Sequence, residues 1–257
     1  MAPRRVIVTR PAREASRWVD DLRHAGLDAI ALPLIEIAPL EDRKPIEAAW
    51  QRIADHDALM FVSAAAAAHF FFPGAKLDAA AHCRFWATGP GTVRGLREAG
   101  VAASSIDAPA ADAAQFDSEA LWALVRSQVR PGVRVLIVRG GDASGQATGR
   151  EWLAREIADA GGTCEAVAVY RRLVPAIGDE DRRMISGATD GSAIWLFSSS
   201  EAIANLRALA PAIDWRAAAA VATHERIARA ARAAGFGRVH VSPPSLSSLV
   251  ASIESFA

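Results

Sequence analysis

The sequence predicts an α/β fold built from two doubly wound parallel sheets, and three observations predict it. Short apolar runs alternate with amphipathic helical segments along the whole chain, the pattern of repeated βαβ units. Of the 257 residues 51% are hydrophobic and 23% charged, enough to fill sizeable cores and too apolar for a disordered chain. Several features also recur at an offset of 135 residues, which points to two similar halves.

The first strand is Arg5-Val6-Ile7-Val8-Thr9, ending before Pro11, a residue suited to the first turn of a helix. Ala12, Ala15, Trp18, Val19, Leu22 and Ala25 then fall on one helical face. Gly26 stands where a left-handed cap residue belongs. Ala29 to Leu32 is the second strand and runs into Pro33 and the extended segment Leu34-Ile35-Glu36-Ile37-Ala38-Pro39. Further strands are expected at 58–62, 84–88, 104–107, 133–138, 163–169, 193–197, 218–222 and 238–241. Helices are expected at 45–54, 64–72, 90–99, 117–128, 150–160, 179–187, 199–209, 224–234 and 245–255. Ten strands, five in each half, match the size of a flavodoxin-like doubly wound domain. The echo pairs Phe61-Val62-Ser63 with Leu196-Phe197-Ser198, Ala87-Thr88 with Ala222-Thr223, and Ala25-Gly26 with Ala160-Gly161.

Composition removes several function classes. Lys+Arg and Asp+Glu are both 29, so the chain lacks the basic excess that nucleic-acid binding draws on. Cys83 and Cys164 cannot make a disulfide framework, and the six histidines show no metal-ligand spacing. There is no G-x-x-x-x-G-K-[ST] and no G-x-G-x-x-G. In Gly141-Asp142-Ala143-Ser144-Gly145 the serine comes one place too late for a nucleophile elbow. The loop from Arg139 to Gly149 reads either as an anion cradle at a helix start or as an ordinary βα connection. Residues 58–75 carry no formal charge, but Ser63, His69, Pro73 and Gly74 interrupt them. They read as a buried strand and an Ala/Phe helix rather than a membrane span. With no signal-peptide pattern either, a cytoplasmic protein without membrane contact is expected.

Small hydroxyl residues and an arginine gather where strands are expected to end: Thr9 and Arg10, Ser63, Thr88 to Thr92, and Ser198-Ser199-Ser200. Ligands bind at that edge of doubly wound sheets, and helix N-termini there favour anions. Each serine or threonine alone reads as a helix cap; the set points to a polyanion site.

On these residues the chain resembles the uroporphyrinogen-III synthases, nearly end to end. The matching segments are Val6-Ile7-Val8-Thr9-Arg10-Pro11, Pro33-Leu34-Ile35-Glu36-Ile37, Met60-Phe61-Val62-Ser63 and Ala87-Thr88-Gly89-Pro90-Gly91-Thr92. Asp117-Ser118-Glu119-Ala120-Leu121, Val135-Leu136-Ile137-Val138-Arg139-Gly140, Val167-Ala168-Val169-Tyr170-Arg171, Leu196-Phe197-Ser198-Ser199 and Glu225-Arg226-Ile227-Ala228 follow in order. The chain departs from the pattern in the five alanines after Ser63 and in Thr223-His224-Glu225-Arg226. The resemblance implies two flavodoxin-like domains joined by a two-stranded linker, with the active site in the cleft between them. Residues 1–35 and 174–257 would form one domain and 40–167 the other, with linkers at about 33–39 and 168–175.

The implied reaction closes hydroxymethylbilane, a linear tetrapyrrole with eight carboxylates, to uroporphyrinogen III with ring D inverted and water lost. It uses no cofactor and no metal, by a monomer that meets the preceding pathway enzyme transiently. By matching position Tyr170 is the implied acid. Ser63, Thr92, Ser198 and Ser199 are implied donors to the substrate, and Arg10 and Arg139 its anion contacts. Strand alternation would set Ala168 and Tyr170 on one face and Val167 and Val169 on the other. Tyr170 is the chain's one tyrosine; its alternative role is an interfacial aromatic whose hydroxyl merely finds a partner. The competing function is a non-catalytic two-domain ligand-binding or regulatory protein, against which Tyr170 and the Gly89–Thr92 loop speak.

Overall fold

The computed structural model describes residues 4–72, 77–80, 82–110, 113 and 115–256. Pro73 and Gly74, expected to interrupt the uncharged stretch, lie outside them. The chain divides into two compact units, Met1–Glu36 with Val174–Ala257, and Ile37–Leu173.

In the first unit the elements are β1 (Arg5–Val8), α1 (Ala12–His24) and β2 (Ala29–Ala31) from the N-terminal segment. The C-terminal segment adds α7 (Asp179–Gly187), β9 (Ala193–Phe197), α8 (Ser200–Leu209), β10 (Ala219–Ala222), α9 (Glu225–Ala233), β11 (Arg238–Val241) and α10 (Leu246–Glu254). The sheet runs β2-β1-β9-β10-β11, every neighbour parallel. In chain order this is 2-1-3-4-5, the flavodoxin-like arrangement. α1 and α10 cover one face with Ala15, Val19, Leu22, Leu249, Ile253 and Phe256. On the other, Trp195 and Phe197 of β9 meet Trp215 and Phe236 in a ring cluster.

The second unit contains β3 (Glu36–Pro39), α2 (Lys44–Gln51), β4 (Ala58–Phe61), α3 (Ala64–Phe70), β5 (Arg84–Ala87) and α4 (Pro90–Glu98). β6 (Ile106–Asp107), α5 (Ser118–Val125), β7 (Arg134–Gly141), α6 (Trp152–Asp159) and β8 (Thr163–Leu173) complete it. Its sheet order is β3-β8-β7-β4-β5-β6. One face packs Leu59, Phe61, Phe85, Leu136 and Val138 under α2, α3 and α4. The other packs Met60, Trp86, Val135 and Ile137 under α5 and α6. β4 and β9 are buried at every position, which is why they read as unbroken apolar runs rather than alternating ones.

The internal echo has a structural meaning. β9-β10-β11 stand in their sheet as β4-β5-β6 stand in theirs, and β1-β2 as β7-β8. Without its extra edge strand β3, the second sheet is the first one entered at a different strand, giving the chain order 3-2-1-4-5. Three departures from expectation concern this unit. Residues 36–39 form an eleventh strand at the sheet edge, beside β8. β8 continues to Leu173 instead of ending at residue 169. β6 is reduced to two residues behind a 3-10 turn at Ala103–Ser105. Among the described residues no helix is long and apolar enough to cross a membrane.

Candidate active site

Doubly wound sheets bind ligands where the strand order reverses, outside the carboxyl ends of the strands on either side. In the second unit that point lies between β4 and β7, and in the first between β1 and β9. Ser63 lies two residues after β4, and Arg139 and Gly140 sit near the end of β7. Arg10 follows β1, and Ser198 and Ser199 follow β9. Ser63, Arg139, Arg10, Ser198 and Ser199 therefore flank the reversal point of each sheet, while Thr92 follows the next strand, β5.

In the second unit a bulge shapes the site. The β7–β8 register pairs Arg139 with Ala168 but Gly140 with Tyr170, leaving Val169 as the extra residue. Strict alternation would have set Tyr170 with Ala168; the bulge resets the count, and Tyr170 packs in the same cluster as Val167 and Val169. Its ring packs against Gly140, where an added Cβ would stand 2.6 Å from Cε2 and Cζ. The phenol is 4% exposed, and its Oη lies 3.3 Å from Ser63 Oγ. Ser63 is held by its own cap bond, accepting from the Ala66 N–H at 3.0 Å. The His69 ring, from the last turn of the same helix, meets the Tyr170 ring at 5.6 Å between centroids. Burial, reinforced by the positive charge of Arg43, pushes the His69 pKa down, which favours a neutral imidazole there at pH 7.

Arg139 precedes Gly140 on β7 and, by alternation, projects from the face of Val135 and Ile137, its guanidinium against Gly149 and Arg150. Its Nε is buried without a hydrogen-bond partner, and Nη2 donates to the Arg150 carbonyl at 3.3 Å. Burial lowers its pKa, and the like charge of Arg172 lowers it further. Thr92 is buried in the first turn of α4 at 4% exposure, its N–H donating to the Gly89 carbonyl. In the first unit Ser199 Oγ caps α8, accepting from the Glu201 N–H at 3.1 Å, and Ser198 is half-buried. Arg10 is already engaged: Nη1 donates to Glu14 at 2.9 Å and the guanidinium lies 4.2 Å over the Trp18 ring. The structure thus brings Tyr170 and Ser63 into contact, with Arg139 next in sequence to the glycine that carries the ring, while Arg10, Ser198 and Ser199 belong to the other unit.

Sequence reasoning passed over Gly140 and His69. Gly140 supplies space rather than a group, and only the bulge reveals the ring it must admit. For His69 the one local signal is its spacing from Ser63 along an alanine helix. Burial pushes the Cys83 and Cys164 thiols up to about 11, so neither is a thiolate nucleophile near neutral pH.

Comparison with known proteins agrees with this architecture. A family model described as uroporphyrinogen-III synthase HemD matches residues 16–251. The chain is 29% identical over 185 residues to the uroporphyrinogen-III synthase of Chlorobaculum parvum, covering 69% of this chain and 67% of that relative. Among solved structures it superposes on uroporphyrinogen-III synthetase from Helicobacter pylori with a TM-score of 0.59, at 15% identity over 99% of this chain and 100% of that one. A uroporphyrinogen III synthase from Thermus thermophilus gives 0.58, at 17% identity over 98% of both chains. At such identities the solved structures speak to the fold. The family match, over most of the length, speaks to descent: the chain belongs to the uroporphyrinogen-III synthase family.

Proposed function

We propose that this chain closes hydroxymethylbilane to uroporphyrinogen III with inversion of ring D, and that Tyr170 donates the proton that lets the terminal hydroxyl leave. Membership of the family makes the chain a cyclising lyase of tetrapyrrole biosynthesis. The observation that carries the assignment of the acid is the Tyr170–Ser63 contact at 3.3 Å, at the carboxyl end of the strands where the second sheet reverses. The phenol gives its proton to the hydroxyl oxygen, the C–O bond breaks with a push from the pyrrole nitrogen, and water departs. The remaining azafulvene is attacked to form the spiro intermediate, which fragments and recloses with ring D turned over. The pyrrole proton released at closure restores the acid. Most of the catalytic effect is positional, since a flexible chain must be held where the spiro route outruns uninverted closure, and the acid adds to it.

In this reading Ser63, Thr92 and Arg139 of the second unit and Arg10, Ser198 and Ser199 of the first contact the substrate. Residues 1–35 with 174–257 and residues 40–167 act as its two domains, with 33–39 and 168–175 as linkers. The same reading places the reaction in the cytoplasm, with a monomer that receives its unstable substrate by transient contact with the preceding enzyme. The test supplies enzymatically generated hydroxymethylbilane and resolves the porphyrin isomers after oxidation. The type III isomer is expected; type I alone would overturn the proposal.

A further inference from the structure

We propose that Arg139, Arg172 and the loop 142–150 form a receptor for one carboxylate of the substrate, and that Gly149 is the residue whose missing side chain makes the receptor. The inference rests on reading the ligand as a polycarboxylate, and adds to it a specific seat for one of its acidic arms.

The first observation is an unmet demand. A guanidinium has five N–H donors, yet Arg139 Nε is buried with no partner and Nη2 reaches only the Arg150 carbonyl, at 3.3 Å. Among the described residues no carboxylate lies within ion-pair distance of Arg139, although the charge of Glu151 acts on it from farther off. A polar group left in this state costs free energy that a ligand acceptor would recover. A second cation stands near. Arg172 acts on Arg139 as a like charge and donates from Nη2 to Thr148 Oγ1 at 2.9 Å, so both guanidinium groups adjoin the same stretch of loop. Two cations held together favour an anion between them, and a planar carboxylate matches the guanidinium fork.

The loop is already shaped for this. Asp142 Oδ1 accepts from the Ser144 N–H at 2.9 Å, the Ser144 hydroxyl at 2.7 Å and the Gln146 N–H at 3.1 Å, and Gly141 bridges to Ala147. Gly149 then takes φ of +143°, where a Cβ would stand 1.9 Å from Arg139 Nη2 and 2.8 Å from Cζ. The guanidinium occupies the place of a side chain. Arg139 precedes the glycine that carries the Tyr170 ring, and Arg172 lies two residues beyond Tyr170 on β8. A carboxylate held here fixes one end of the substrate at the same end of β7 and β8 as the phenol.

The experiment uses the full chain with Arg139→Gln, Arg172→Gln and Gly149→Ala, melting each variant to verify folding. It reads KM and kcat on hydroxymethylbilane, and direct binding of uroporphyrin III by fluorescence quenching. Loss of a charge-assisted contact is expected to raise KM and weaken porphyrin binding about ten- to a hundredfold, with kcat within about threefold of wild type. Gly149→Ala should reproduce the effect through displacement of Arg139. If its backbone fails to fold, Arg139→Gln and Arg172→Gln decide alone. A folded Arg139→Gln that keeps KM and porphyrin affinity within twofold overturns the receptor. If Tyr170→Phe still lowers kcat in that case, the receptor alone has failed. If the wild-type chain yields only type I isomer, the underlying reading has failed, and porphyrin binding by the variants still judges the receptor.

Discussion

Replacing Tyr170 with phenylalanine removes one oxygen and keeps the ring, so it separates acid catalysis from packing. The ring is 4% exposed and sits against Gly140 and His69, contacts that phenylalanine retains. The hydrogen bond lost is the one to Ser63 Oγ at 3.3 Å, longer than the usual 2.7–2.8 Å for two hydroxyls. Ser63 keeps its bond from the Ala66 N–H. The stability change should therefore fall at the low end for a hydrogen bond, about 0.5 kcal/mol, which moves Tm by roughly 1–2 °C in a chain of this size. Catalysis should suffer more. General acids contribute about 10²–10⁴, and a leaving group expelled by a pyrrole nitrogen needs the lesser part. A fall in kcat of about ten- to a hundredfold follows, equal to roughly 1.4–2.7 kcal/mol in the barrier. As turnover slows, spontaneous closure gains on it and the type I isomer should rise. The assay couples enzymatic generation of hydroxymethylbilane to isomer separation, beside a thermal melt. If kcat stays within about twofold of wild type while the melt is unchanged, the phenol is not the acid.

Gly140→Ala should damage the same corner from the opposite strand. Gly140 is absent from the positive-φ glycines, so alanine meets no backbone strain, but its Cβ would lie 2.6 Å from the Tyr170 ring. A stability loss of about 1–3 kcal/mol from overpacking and a lower kcat are expected; an active variant with wild-type Tm would refute the contact. Asp107→Asn should loosen the short edge strand β6. Burial works to raise the Asp107 pKa, but hydrogen bonds from Arg84 and Gln128 outweigh it and hold it below the usual value. A depressed folded pKa gives stability that is fully present above the unfolded value of about 4 and lost as pH falls through the folded one. With the half-exposed Arg84 screened by solvent, wild type should lose about 0.5–1 kcal/mol in that acid range, and a denaturant titration against pH should show Asp107→Asn lacking this component. Finally, activity should survive dialysis against a chelator, because among the described residues no three His, Cys, Asp or Glu side chains are grouped to hold a metal ion. A stoichiometric metal whose removal abolishes turnover would contradict that expectation.

The sequence by itself determined the elements and their kind. Buried strands such as β4 and β9 announce themselves as apolar runs, and α1 by the spacing of Ala15, Val19 and Leu22, because local periods follow from backbone geometry. The 135-residue echo, too, held real information, since equal segments fold to equal strands wherever the chain enters the sheet. Residues at strand ends, such as Ser63 and Ser198, could be marked as candidates before any strand order was known, for a parallel sheet puts all those ends on one edge. Sheet order was not legible, because it depends on which strands find each other across long stretches of chain. The bulge at Arg139 and Gly140 was beyond reach for the same reason: a two-residue period counts along one strand, whereas a bulge is a mismatch between two. That single slip turns Tyr170 toward Ser63 and gives Gly140 its purpose. The sequence offered candidate residues at the strand ends, and only the pairing of β7 with β8 decided which way Tyr170 faces.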